Sequence, residues 1–241
     1  QREGWPLIKI GNSLNQEKVL PLTMSFSRVP LEIEVPTQPL YGRDGAVVTG
    51  KPYLQPRQFI LQGSIYHPNK SQIVQTLDAL LAFLMHTPLK VYRQHYLNRY
   101  LLSYPMGAPQ DWVDAGAELQ LRIPMIAYDP YWYGPAAMHI FSQSWIINID
   151  STAPALPVIE TTSSVNSLTV TNQTTGDEVV VSGANGVIVV DNVNHIVTID
   201  DDNRLDLVND EWLLYGFKLV PGDNIISTSQ EIKITYRHRY Y

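Results

Sequence analysis

The chain contains no cysteine. This excludes a disulfide framework, thiolate zinc sites and a cysteine nucleophile. It also lacks any run of about 18 apolar residues, the length a membrane-crossing helix requires. Its opening stretch has no basic start followed by an apolar segment, so no secretory signal is visible. Charge is scarce, at 17% Asp, Glu, Lys and Arg against 44% hydrophobic residues, whereas a disordered chain is rich in charge and poor in apolar side chains. Chemistry-bearing motifs are missing too. None of the six histidines pairs with Glu in a His-Glu-x-x-His zinc helix, and there is neither a Gly-x-Ser-x-Gly elbow nor a Gly-rich phosphate loop with Lys. The expectation is a protein that is not an enzyme, with no catalytic, cofactor-binding or metal-ligating residues.

What the sequence does have is aromatic side chains, 14 Tyr and 5 Trp among 241 residues, suited to packed cores and contact surfaces. The length accommodates two ordinary domains. Charge divides the chain unevenly. Residues 1–149 carry 12 Lys and Arg against 10 Asp and Glu, and residues 150–241 carry 5 against 13. The balance of +2 against −8 suggests two surfaces of different character, and the segment Asp150-Ser-Thr-Ala-Pro-Ala-Leu-Pro157 reads as a stiff connector. The overall acidity argues against a dedicated nucleic-acid binder.

The first part reads as strands plus one helix. Leu31–Val35 alternates as a half-buried strand, as do Phe59, Leu61, Gly63 and Ile65 on one face, and Leu119, Leu121, Ile123 and Met125 on another. Pro124 cannot donate to a ladder, which predicts an edge position or a bulge. Ile73, Val74, Leu77, Leu80, Leu81 and Leu84 form one stripe of a helix over residues 71–86. Asn69 or Ser71 caps it and Thr87-Pro88 stops it. Leu89–Tyr104 reads as a hairpin around residues 94–98. The second part reads as strands only: Pro157–Thr161, Ser167–Asn172, Glu178–Ser182, Gly186–Val190, His195–Ile199, Leu213–Leu219 and Glu231–Tyr240. Turn signals fall at Thr175-Gly-Asp177 and Ala184-Asn-Gly186. Short strands at this spacing predict a sandwich.

Candidate chemistry is thin. Glu32 and Glu34 share one strand face, where paired carboxylates serve solubility more often than glycoside hydrolysis. Asp200-Asp201-Asp202, with Asp191, Asp206 and Asp210, lacks the spacing of a calcium loop and reads as a solvated hairpin tip. His195 begins a strand and reads as structural. Trp212, Tyr215 and Phe217 form either a sugar-stacking surface or core. The Tyr- and cation-rich stretch Lys90–Tyr104 fits a single-stranded nucleic-acid platform or a protein interface. The acidic whole favours the interface.

Several stretches together resemble the distal tail protein (Dit) family of phages with long non-contractile tails. They are Phe59–Ile65 leading into the helix, Met125-Ile-Ala-Tyr-Asp-Pro-Tyr-Trp132, Ala155–Glu160, Leu168–Gly176, Phe217-Lys-Leu-Val-Pro-Gly-Asp-Asn-Ile225 and Ile232–Tyr240. Their order along the chain carries the likeness, and the Leu-x-Pro-Gly-x-Asn segment before a terminal alternating strand is its strongest element. The resemblance implies a mostly β protein: a ring-forming, β-sandwich-like domain with one helix at 1–149 and a galectin-like β-sandwich at 150–241. It implies a virion protein of the tail tip, assembled in the host cytoplasm. A hexameric ring of it would join the tail-tube protein to a hub protein and carry receptor-binding or side-fibre proteins, with DNA only passing through the channel and no membrane insertion. The chain is too short for the inserted carbohydrate-binding domain of some relatives. A carbohydrate-binding module on a β-sandwich is the competing reading.

Ring subunits bury aromatic and Arg-bearing surface in head-to-tail contacts that close. Composition puts those contacts at Tyr92, Arg93, Tyr96, Arg99, Tyr100, Tyr131 and Trp132. Reversing charge with Arg93→Glu and Arg99→Glu is expected to weaken assembly. Native mass spectrometry checks this, and an unchanged oligomer mass counts against it.

Overall fold

The structure, a computed structural model, describes residues 8–20, 22–26, 32–39, 46–66, 69–93, 96–107, 110–114 and 118–241. It is mostly β and divides into two compact units, Gln1–Trp132 and Tyr133–Tyr241. The division falls before the expected boundary at Asp150. The segment between Trp132 and Asp150 carries no Asp, Glu, Lys or Arg, and its Phe141, Ile147 and Ile149 belong to the core of the second unit. The proline-bearing segment 150–157 is therefore no linker. Ala153 and Ala155 are fully buried within the second unit, bridged to Arg239 and Leu219.

The first unit holds two antiparallel sheets. One runs Glu17–Leu20, Ile8–Gly11, Leu89–Arg93 and Tyr96–Pro105. The other runs Leu22–Phe26, Arg57–Tyr66, Glu118–Ala127 and Gln110–Asp114. Strand Tyr96–Pro105 leaves the first sheet to pair Tyr104 and Pro105 with Ile126 and Met125 of the second. Period-2 alternation appears as burial: Phe59 and Leu61, and Leu121, Ile123 and Met125, are sealed from solvent.

Pro124 lies in an interior strand, paired with Ile60, and not at an edge. Its carbonyl accepts from the Met106 amide at 2.8 Å. Its missing N–H therefore faces the side where pairing passes from Gln110–Asp114 to Tyr104–Pro105, and no ladder bond is lost.

Helix α1 spans Lys70–Leu84, with Asn69 as N-cap accepting from the Ser71 amide at 3.0 Å. Ile73, Leu80, Phe83 and Leu84 are buried, but Val74 is 56% exposed. At about 100° per residue, Val74 falls just outside the stripe centred on Ile73, Leu80 and Leu84, while Phe83 falls inside it. The expected strand over Leu31–Val35 is only Ile33–Glu34, and both residues are exposed. It pairs with Tyr53–Leu54, and Thr37–Pro39 pairs with Ala46–Val48. The result is a two-stranded arm whose Ile33, Val35, Val47, Val48 and Tyr53 are all exposed. Leu31 itself lies outside the described residues.

The second unit is a two-sheet sandwich organised by one long strand, Gly222–Tyr240. Its first half pairs Ile226–Thr228 with Val165–Asn172, which pairs in turn with Glu178–Gly186. Its second half pairs Ile232–Thr235 with Val158–Thr161, followed by Ile188–Asp191, Ile196–Ile199 and Asp202–Asn203. Between the halves, the Thr228 hydroxyl donates to the Gln230 carbonyl at 2.9 Å and accepts from its amide at 3.3 Å. Ala184-Asn-Gly186 is the end of a strand, not a turn, whereas Gly176 (φ +80°) supplies the expected turn at 175–177.

A second helix, α2, occupies Asp210–Tyr215, where alternation predicts a strand. Acidic Asp210 and Glu211 in its first turn favour the helix N-terminus. Gly216 at φ +66° closes it, its amide donating to the Trp212 carbonyl at 2.8 Å.

Three buried asparagines fix the loops of this unit. Asn192 donates from Nδ2 to the Pro157 carbonyl at 2.8 Å. Its Oδ1 accepts from Trp212 Nε1 at 2.7 Å and from the Phe217 amide at 3.0 Å. Asn224 Oδ1 accepts from the Val220 amide at 2.9 Å and from Asn172 Nδ2 at 3.0 Å, and its own Nδ2 donates to the Val220 carbonyl at 2.7 Å. Asn172 Nδ2 also donates to the Lys218 carbonyl at 3.0 Å. Asn192→Leu keeps volume but strands the buried Trp212 and Phe217 donors. A loss of about 2–5 kcal/mol is expected, read from the urea midpoint of unfolding.

Candidate interaction surfaces

In the first unit's sheet of Glu17–Leu20, Ile8–Gly11, Leu89–Arg93 and Tyr96–Pro105, residues next to the buried ones point to the opposite face. Lys9 Nζ bridges to Glu17 Oε2 at 2.7 Å and lies 4.7 Å from the centroid of the Tyr92 ring, whose hydroxyl donates to Glu17 Oε1 at 3.3 Å. The hydrogen bond from Lys9 holds the Glu17 carboxyl below its ordinary range, and burial raises the Tyr92 phenol. Tyr92 and Tyr100 sit opposite each other across the strands, ring centroids 5.6 Å apart. Lys90 Nζ lies 5.8 Å from the Tyr100 centroid.

The seven residues expected at an interface do not form one exposed patch. Tyr92, Arg99 and Tyr131 are half-buried. Tyr100 and Trp132 are only 7% and 3% exposed, so in the chain they offer almost no surface. The Tyr92 and Lys90 side chains lie against Tyr100, and Arg57 lies 6.0 Å from the Trp132 ring centroid. Arg93 and Tyr96 pair with each other across the hairpin, and their side chains lie outside the described residues. The surface that sequence reasoning missed in this unit is the pair of short ribbons at 32–39 and 46–54. Its signal was there: a strand pattern interrupted by Pro36, Pro39 and Pro52 is a poor fit to a sheet interior.

In the second unit, Trp212 and Phe217 are sealed in the core, which removes two of the three aromatics of the candidate sugar-stacking surface. The third, Tyr215, is 73% exposed. His195, at φ +57°, stacks on Trp212 with centroids 4.3 Å apart and planes 3° from parallel. Its Nε2 is 3.1 Å from the Leu213 carbonyl. Asp200 Oδ1 accepts from the Val187 amide at 2.9 Å, and Asp206 takes both contacts of Arg204. The acidic tip thus serves local turns. Among the described residues no three His, Asp or Glu side chains are gathered to hold a metal ion, and no helix is long and apolar enough to cross a membrane.

Residues 150–240 match the family model of the siphovirus-type tail component, C-terminal domain. Over the whole chain, the fold is similar to that of the SPP1 Dit (gp 19.1) protein. Its crystal structure is described as a paradigm of the hub adsorption apparatus in phages infecting Gram-positive bacteria. That likeness covers 97% of this chain and 99% of the other at a TM-score of 0.69, with 14% sequence identity. No curated protein matches the sequence. The family match is confined to residues 150–240, whereas the likeness of fold extends over the whole chain.

Substitutions in α2 separate its anchored side from its exposed side. Trp212→Phe loses the bond to Asn192 and some ring volume, and is expected to lower stability by about 1–3 kcal/mol. Leu214→Ser is expected to change it by less than about 0.5 kcal/mol. Chemical denaturation of the two variants beside the parent checks both.

Proposed function

We propose that this protein is a structural subunit of a siphophage tail tip. Six copies form a ring that joins the tail tube to a hub and carries receptor-binding or other adsorption proteins. The observation that carries this reading is the tail-component match over residues 150–240, together with the fold likeness that extends across nearly the whole chain.

The physical properties of the chain support it. A ring needs two different surfaces on each subunit, because head-to-tail contacts are heterologous. Residues 1–149 and 150–241 differ in charge balance, +2 against −8, from 12 against 10 and 5 against 13 charged residues. The arm residues 32–39 and 46–54 display five large exposed apolar side chains, which suits a segment laid across a neighbouring copy. The half-buried Tyr92, Arg99 and Tyr131 keep some surface for the same purpose. The role asks for contact surfaces and a channel, and it involves no chemical step.

The expected outcome for the purified full-length chain is a hexamer by native mass spectrometry, with a central hole in negative-stain images. A strict monomer that binds a defined sugar on a glycan array would overturn the reading in favour of a carbohydrate-binding module.

A further inference from the structure

Helix α2 turns Trp212 into the core and leaves Leu213, Leu214 and Tyr215 outward, the last two 73% exposed each. The adjoining turn adds Val193 and Ile196, both exposed. Turn and helix are fastened together by the His195–Trp212 stack and by the contact between His195 Nε2 and the Leu213 carbonyl. The turn itself is held by Asp191 Oδ1, which accepts from the Val193 and Asn194 amides at 2.8 and 3.0 Å. Scattered apolar side chains on a surface are ordinary, but several on two elements tied together mark a contact site, and that tie lowers the ordering cost of binding.

The surroundings define the partner. From Asp191 to Gly216 the chain carries seven Asp and Glu and a single cation, Arg204. Arg204 is taken by Asp206, with bonds of 3.0 and 3.1 Å. We propose that this ridge docks a segment of an adsorption protein in which Lys or Arg residues flank aliphatic or aromatic anchors. The anchors cover Leu214 and Tyr215 while the cations meet the acidic field. An anionic partner, or a copy presenting the same face, is repelled. The partner's identity as an adsorption protein rests on the proposed function; the chemistry of the surface does not.

The test uses the full-length chain and short fluorescent peptides alternating Lys with Leu, Lys with Ser, or Glu with Leu, with binding read by anisotropy. The Lys/Leu peptide is expected to bind about tenfold tighter than the other two. The double variant Leu214→Ser/Tyr215→Ser, its folding checked by an unchanged thermal melt, is expected to erase that advantage. Equal binding of the two Lys peptides, strong binding of the Glu/Leu peptide, or an advantage that survives in the double variant each overturns the proposal. A changed oligomer mass in the double variant also overturns it, assigning the ridge to contacts between copies. A monomeric parent with the expected peptide preferences would leave the ridge standing and sink the ring.

Discussion

The second unit depends on buried asparagine side chains that satisfy amide groups close to its core. Its loops pass close to the core, where an unpaired backbone N–H is costly. Asn192, Asn172 and Asn224 resolve this because an amide side chain both donates and accepts. Asn192 ties the turn 191–196 to Pro157, Trp212 and Phe217 at once. Asn224 closes the Val220–Gly222 loop on itself and is locked to Asn172 from another strand. The carboxylate of Asp offers no donor, and Leu offers neither, so only Asn or a near equivalent fits these positions.

Everything exposed on that unit near α2 reflects this anchoring. Because Trp212 is held from its indole N–H, α2 cannot rotate to bury Leu214 or Tyr215 instead. The apolar ridge is therefore imposed by the core beneath it. The arm of the first unit is the contrasting case. Among its described residues the strands pair with one another as short ribbons, and Ile33, Val35, Val47, Val48 and Tyr53 stay exposed.

Much of this was legible in the sequence, and the failures have physical causes. Strands with one buried face announce themselves by alternation, as at Phe59–Leu61, Leu121–Met125 and Ile232–Tyr236. The helix at Lys70–Leu84 was legible from spacing, and the Leu-x-Pro-Gly-x-Asn segment proved to be the Asn224 loop. Residues 213–217 read as a strand because Leu213, Tyr215 and Phe217 alternate. Yet a helix of six residues is too short to show a 3.6-residue period, and only Asn209, the acidic pair after it and Gly216 gave it away. The charge step at Asp150 marked a change in surface, which is not the same as a change in core: the neutral strand ending at Ile149 packs into the core of the sandwich. Tyr100 and Trp132 are buried in the chain, and composition does not distinguish a buried aromatic from an exposed one.

Strand Gly222–Tyr240 belongs to both sheets of the sandwich, and it leaves the ribosome after every other strand of its unit. Until it emerges, Val158–Thr161 and Val165–Asn172 each lack an inner neighbour, and the hydrophobic faces they carry stay open. Closure of the second unit is thus timed to the synthesis of this strand and not to the appearance of the first ones.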